Sequence, residues 1–187
     1  MIAAAGRTAD QAQADFRALI NALARPGTLE RIAPCAGPPA LAVAGGLADV
    51  EVPTAVLGEE HLARALHLAT SAPVATLGTA RMVVALRPPT PEEIAAMPRG
   101  DALHPELGTR LILAVATLSE SSATVRLSLS GPGVPGSRSL GVTGMPTEVF
   151  TALATANGDF PAGIDTFLVA ADGTVAGLPR SIQIGVH

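Results

Sequence analysis

Apolar residues recur at helical spacing in the first third of the chain and at strand spacing in the last. Thr8 and Gln11 have the spacing of a capping box, with Asp10 in the first turn. Ala12, Phe16, Leu19, Ile20 and Leu23 follow three or four apart, which predicts a helix with that face buried. Arg25-Pro26-Gly27 ends it. Thr28–Ile32 reads as a short strand and Pro38–Leu47 as an apolar helix weakened by Gly45 and Gly46. Val52–Leu57 is of strand length. Glu59 and Glu60 then open a helix with Leu62, Ala65, Leu66 and Ala69 on one face.

Pro73–Leu77 and Met82–Leu86 are apolar runs of strand length, and Thr90-Pro91-Glu92-Glu93 is a second capping box with proline at the first helical position. Pro98-Arg99-Gly100 keeps that helix short, and 101–108 reads as a loop. The unbroken run Leu111–Leu118 predicts one strand buried on both faces. Thr124–Ser130 alternates, with Val125, Leu127 and Leu129 facing one way and Arg126 and Ser128 the other. A short strand at Ser139–Val142, a helix over Pro146–Ala156 and a hairpin of Ile164–Val169 with Thr174–Gly177 around Asp172-Gly173 complete the series. Helices alternate with strands early and hairpins dominate late. The expectation is one α/β domain over residues 1–187, a mixed sheet with helices on its faces.

Composition narrows the chemistry. The 187 residues carry 48% hydrophobic and 15% charged side chains, the balance of a folding chain. All twelve basic residues are arginine. Without lysine the chain cannot form a pyridoxal-phosphate Schiff base, complete a Walker A loop or use the kinase lysine. The net charge is −4, the arginines are scattered, and Trp and Tyr are absent. That leaves neither the basic face nor the stacking aromatics of a nucleic-acid binder. Cys35 stands alone, so no internal disulfide forms. The segment Met1–Gln13 does not read as a signal peptide, and Ile32–Ala48, though uncharged, holds three prolines and three glycines unsuited to a membrane span. The expected location is the cytoplasm.

Few motifs carry chemistry. Gly131-Pro132-Gly133-Val134-Pro135-Gly136 matches G-x-G-x-x-G in letters, but its prolines remove two backbone donors and no helix follows. A rigid turn between strands fits better. His61 and His67 are six apart, off one helical face, and His104-Pro105-Glu106 lacks a thiolate partner. No serine sits in a G-x-S-x-G elbow. Asp165 enters an otherwise apolar strand, where a charge needs a partner. Arg180, beyond the hairpin, is the candidate, as a structural ion pair or, alternatively, an anion or subunit contact.

Five segments in order then resemble one family. Phe16–Thr28, reading FRALINALARPGT, Leu127–Gly133, reading LSLSGPG, Gly144-Met145-Pro146, Asn157–Asp165 and Gly177-Leu178-Pro179-Arg180 are similar to successive motifs of PhnH, a subunit of the bacterial carbon–phosphorus lyase machinery. Ala69 stands where the family has a histidine, and Gly108-Thr109-Arg110 departs from its pattern.

The resemblance implies a three-layer α/β/α fold with a mixed sheet, like that of pyridoxal-phosphate transferases but without the cofactor. It implies an accessory subunit acting with PhnG-, PhnI- and PhnJ-like partners. That subunit supports transfer of ribose triphosphate from ATP to an alkylphosphonate, is non-catalytic by itself, and is able to self-pair as a homodimer. It implies no catalytic, cofactor or metal residues; Gly131, Gly133, Asp165, Pro179 and Arg180 stand as a structural or interface motif. Two rival readings are a free-standing enzyme that binds a phosphorylated molecule through Arg110, Arg126, Arg138 and Arg180, and a relative that only assembles as a dimer.

Overall fold

The computed structural model describes residues 7–121 and 123–187. The opening Met1–Gly6, part of the segment read against a signal peptide, lies outside the described residues.

The first helix, α1 (Ala9–Ala24), starts at the expected box. Thr8 Oγ accepts from the Gln11 N–H at 3.2 Å, and Gln11 Oε1 accepts from the Thr8 N–H at 3.0 Å. Strand β1 (Glu30–Arg31), helix α2 (Pro39–Leu47), strand β2 (Thr54–Leu57) and helix α3 (Glu60–Thr70) follow. Next come β3 (Met82–Ala85), the short α4 (Pro91–Ala95) on its own capping box, and β4 (Arg110–Val115). The rest is β5 (Thr117–Ser119), β6 (Val125–Gly131), β7 (Val134–Thr143), α5 (Thr147–Ala156), β8 (Asp165–Ala170), β9 (Thr174–Leu178) and β10 (Gln183–Val186).

The strands form two sheets. Six make a mixed sheet in the order β1-β9-β8-β4-β3-β2, in which β2, β3, β4 and β8 run parallel, β9 runs antiparallel to β8, and β1, antiparallel to β9, points the same way as the parallel set. Successive residues of its central strands alternate between two cores, as the pleat requires. Met82, Val84, Ile112, Phe167 and Val169 face α1, α2 and α3; Val83, Leu111, Leu113, Leu168 and Ala170 face the other way. On that other face α4 and α5 share the layer with a four-stranded antiparallel sheet, β10-β6-β7-β5.

The α/β class and the mixed sheet are as expected. The second sheet is a correction to the single-sheet reading: the third layer is half helix and half sheet. Its cause is visible at Ala116. The apolar run Leu111–Leu118 is not one strand. β4 pairs with β3 and β8, whereas β5 crosses to pair with β7, and the Ala116 N–H donates to Thr143 O at 2.9 Å at the switch. Pro73–Leu77 is no strand either. Val74 makes one isolated bridge to Thr54, and Leu77–Thr79 is a 3-10 turn. The strand expected at 28–32 shrinks to two residues, the one at 139–142 lengthens to ten, and β10 is additional. On α1, Ala18, Leu19 and Ala22 are buried, but Phe16 and Ile20 remain 53% and 50% exposed.

The β6–β7 hairpin explains the glycine-rich motif. Gly131 opposes Val134 across Pro132-Gly133. Gly133 has φ +79°, which with proline before it fits a type II turn. A side chain there would also strike the Ala24 carbonyl oxygen. An added Cβ on Gly131 would come 3.3 Å from Ile182 Cα and Ser181 O, so the turn rests on the chain just after Arg180.

Candidate functional site

The parallel strands place their first residues along one edge of the main sheet. Arg110 opens β4 directly opposite Asp165, which opens β8, and Arg81 immediately precedes β3. The residues leading into β2, Glu51 and Val52, reach the same edge. Together with Glu106, Gly108 and Arg180 they line a cavity of about 300 Å³.

Arg180 is its fixed point. The backbone N–H donates to Asp165 Oδ1 at 2.9 Å, and Nε and Nη2 donate to Oδ2 at 3.1 and 2.7 Å. Nη1 donates to Pro105 O at 2.5 Å, with a longer contact to Pro161 O at 3.5 Å. The two side chains are 14% and 26% exposed, so the pair is held in a poorly solvated place and its geometry satisfies both charges. Pro179, just before it, accepts from the Ile182 N–H and starts the turn towards β10.

Through those two carbonyls Arg180 ties the loop 98–109 to the loop 157–164. Other bonds reinforce the tie. Gly163 N–H donates to Arg99 O at 2.8 Å, Thr109 N–H donates to Pro98 O, and Asp101 Oδ1 accepts from the N–H groups of Leu103 and His104. Asn157, at the end of α5, exchanges hydrogen bonds with the backbone of Ile164, fixing the entry to β8. Gly108 sits where the loops cross: a Cβ there would lie 2.5 Å from Gly163 O and 2.7 Å from Arg180 Nη1.

The tied loops present large apolar side chains to solvent. Leu103 is 84% exposed and Phe160 66%, with Leu107 also exposed. Beside them Arg99 lines a groove of about 540 Å³ between α4 and α5, walled by Ala95, Thr151, Ala152 and Thr155.

Of the residues singled out in the sequence, Asp165, Pro179 and Arg180 gather here. Gly131 reaches only the chain after Arg180, and Gly133 packs on the end of α1. Of the four arginines named for phosphate binding, Arg110 and Arg180 converge. Arg126 and Arg138 lie on the second sheet, bonded to Ser139, Ser121 and Pro26. Arg81 and Glu51 were missed. No local motif marks them, and only the strand order brings them together. At the carboxyl edge of the parallel strands, where ligands of open α/β sheets usually bind, the cavity-lining Arg87 is occupied. It grips Glu93 at 2.9 and 2.6 Å, and this hydrogen-bonded guanidinium holds the Glu93 carboxyl down at about 2. Among the described residues no three His, Cys, Asp or Glu side chains gather as a metal site, and no helix is long and apolar enough to cross a membrane.

No curated protein matches the chain significantly. The sequence pattern of the bacterial phosphonate metabolism protein PhnH matches residues 4–185 of the 187, and the chain belongs to that family.

Proposed function

We propose that this chain is an accessory subunit of the carbon–phosphorus lyase core complex, working in the cytoplasm with PhnG-, PhnI- and PhnJ-like partners. It organises its neighbours while the assembled complex transfers ribose triphosphate from ATP to an alkylphosphonate. The observation that carries this reading is the exposure of Leu103, Leu107 and Phe160 on two loops that Arg180 ties together. A chain with four phenylalanines leaves two of them mostly in water, although burying each would contribute about 2 kcal/mol. Exposed apolar side chains on a fixed platform are what a docking face needs. In this reading Asp165, Pro179 and Arg180 fix the loops that carry that face, Gly131 and Gly133 shape the β6–β7 turn, and none of the five touches substrate.

Phe16 and Ile20, on the opposite helical layer, offer a second face, so one chain can bridge two neighbours or self-pair as a homodimer. The lack of lysine agrees with a cofactor-free relative of the pyridoxal-phosphate transferases. Co-expression of the tagged chain with its neighbouring phosphonate genes tests the reading. A stoichiometric complex by native mass spectrometry is expected; a chain that stays alone contradicts it.

One observation favours a second reading, an independent enzyme holding a phosphorylated molecule: Arg110 and Arg180 converge with Arg81 in one cavity. Turnover of phosphate esters by the isolated chain, lost in Arg110→Gln, is its test.

A further inference from the structure

Once Arg180 and Asp165 neutralise each other, the amino-edge cavity keeps four charged side chains: Arg81, Arg110, Glu51 and Glu106. Arg110 is exposed and makes no side-chain hydrogen bond or ion pair among the described residues. Arg81 spends one donor, Nη2, on Glu106 O at 2.6 Å. Neither glutamate side chain enters an ion pair among the described residues. Two positive and two negative groups therefore face one space of about 300 Å³ with a formal sum of zero.

That balance decides what fits. A bare oxyanion gains at the arginines and is repelled by the glutamates, and a bare cation meets the reverse. A molecule carrying both signs gains at both. The guanidinium fork suits the oxygens of a phosphate, phosphonate or carboxylate, and two carboxylates suit the three donors of an ammonium. The backbones under the two arginines belong to the sheet: Arg110 N–H donates to Arg81 O at 2.9 Å, and Met82 and Arg110 are in register. Both arginines thus project from backbone fixed at the sheet edge, which sets where their guanidinium groups can reach. We propose that this cavity binds a small zwitterion, its oxyanion held by Arg81 and Arg110 and its ammonium by Glu51 and Glu106. The site stands independently of the subunit reading.

Four probes titrated into the isolated chain at low salt test it, followed by amide chemical shifts. Phosphoethanolamine carries both groups, ethyl phosphate the anion, ethylamine the cation, and β-alanine both with a carboxylate. The expected result is that phosphoethanolamine binds about tenfold tighter than either single-sign probe, shifting amides near Arg81 and Arg110. β-Alanine binding equally supports a carboxylate zwitterion, and weaker binding supports a phosphorus oxyanion. Arg110→Gln abolishes binding. Glu51→Gln removes the advantage of phosphoethanolamine over ethyl phosphate. Both sites are exposed, so both variants keep the wild-type circular dichroism. The proposal is overturned if ethyl phosphate binds as tightly as phosphoethanolamine, if binding survives Arg110→Gln, or if no probe shifts those amides. None of these results depends on partner subunits.

Discussion

Arg180 bonds to the carboxylate of Asp165 from both its backbone and its guanidinium, across fifteen residues that include the whole β8–β9 hairpin. The same guanidinium reaches the carbonyl of Pro105, so one side chain fastens the hairpin and the 98–109 loop to a single point. Removing the carboxylate leaves a half-satisfied cation in a place with little water. Asp165→Asn is expected to cost about 2–3 kcal/mol in urea unfolding, under the figure for a fully buried pair because both side chains keep some exposure. A loss below about 0.5 kcal/mol would place the pair among ordinary surface bridges.

The crossing of the two loops leaves no volume beside Gly108. Its added Cβ would meet Gly163 O, Arg180 Nη1 and Arg99 O, two of them backbone atoms that cannot swing away. Gly108→Ala is expected to lower stability by about 1–3 kcal/mol. Gly46, in α2, has nothing within 4 Å of the same added atom. Gly46→Ala is expected to be stabilising by up to about 1 kcal/mol, because alanine is the better helix residue. Thermal melts of the two variants should therefore move in opposite directions.

Arg87 and Glu93 give the chain a defined acid response. Hydrogen bonding to Arg87 holds the folded Glu93 carboxyl at about 2, against about 4.3 in an unfolded chain. Folding thus favours the ionised form. The stabilisation is complete above the unfolded value and is lost as the pH falls from there through the folded one. Melting temperatures measured down this window should fall more steeply for the wild type than for Glu93→Gln. The gap between the two should close as pH nears the lower end; parallel curves would contradict the assignment.

Two phenylalanines separate the fold from the proposed docking surface. Phe150 is fully buried in the core between α5 and the sheets, and Phe150→Ala is expected to cost about 3–5 kcal/mol. Phe160 stands in water, and Phe160→Ser is expected to change stability by no more than about 0.5 kcal/mol. Equal losses in chemical unfolding would mean that Phe160 serves the fold and not a partner.

What could be read from the sequence was local. Thr8 with Gln11, Thr90 with Glu93, and Asp172-Gly173 each specify their geometry within a few residues, and the structure forms all three. The alternation from Val125 to Leu129 is likewise kept. The partner of Asp165 was legible because a charge in an apolar strand must be answered. The break in Leu111–Leu118 was not, since an apolar run does not say which sheet each half will join. Phe16 and Ile20 obeyed the helical period yet stayed exposed, because periodicity gives a face and not what covers it. Arg81 and Glu51 meet Arg110 only through parallel strand order, which no spacing along the chain encodes.

The central claim is that the Leu103–Leu107–Phe160 face docks a partner subunit. The most direct measurement is native mass spectrometry of the tagged chain co-expressed with PhnG-, PhnI- and PhnJ-like subunits, comparing wild type with the Leu103→Ser/Phe160→Ser double variant. The account predicts a stoichiometric complex for the wild type and a folded but unassembled chain for the variant. A variant that assembles as fully as the wild type would show that this face is not where the partners meet.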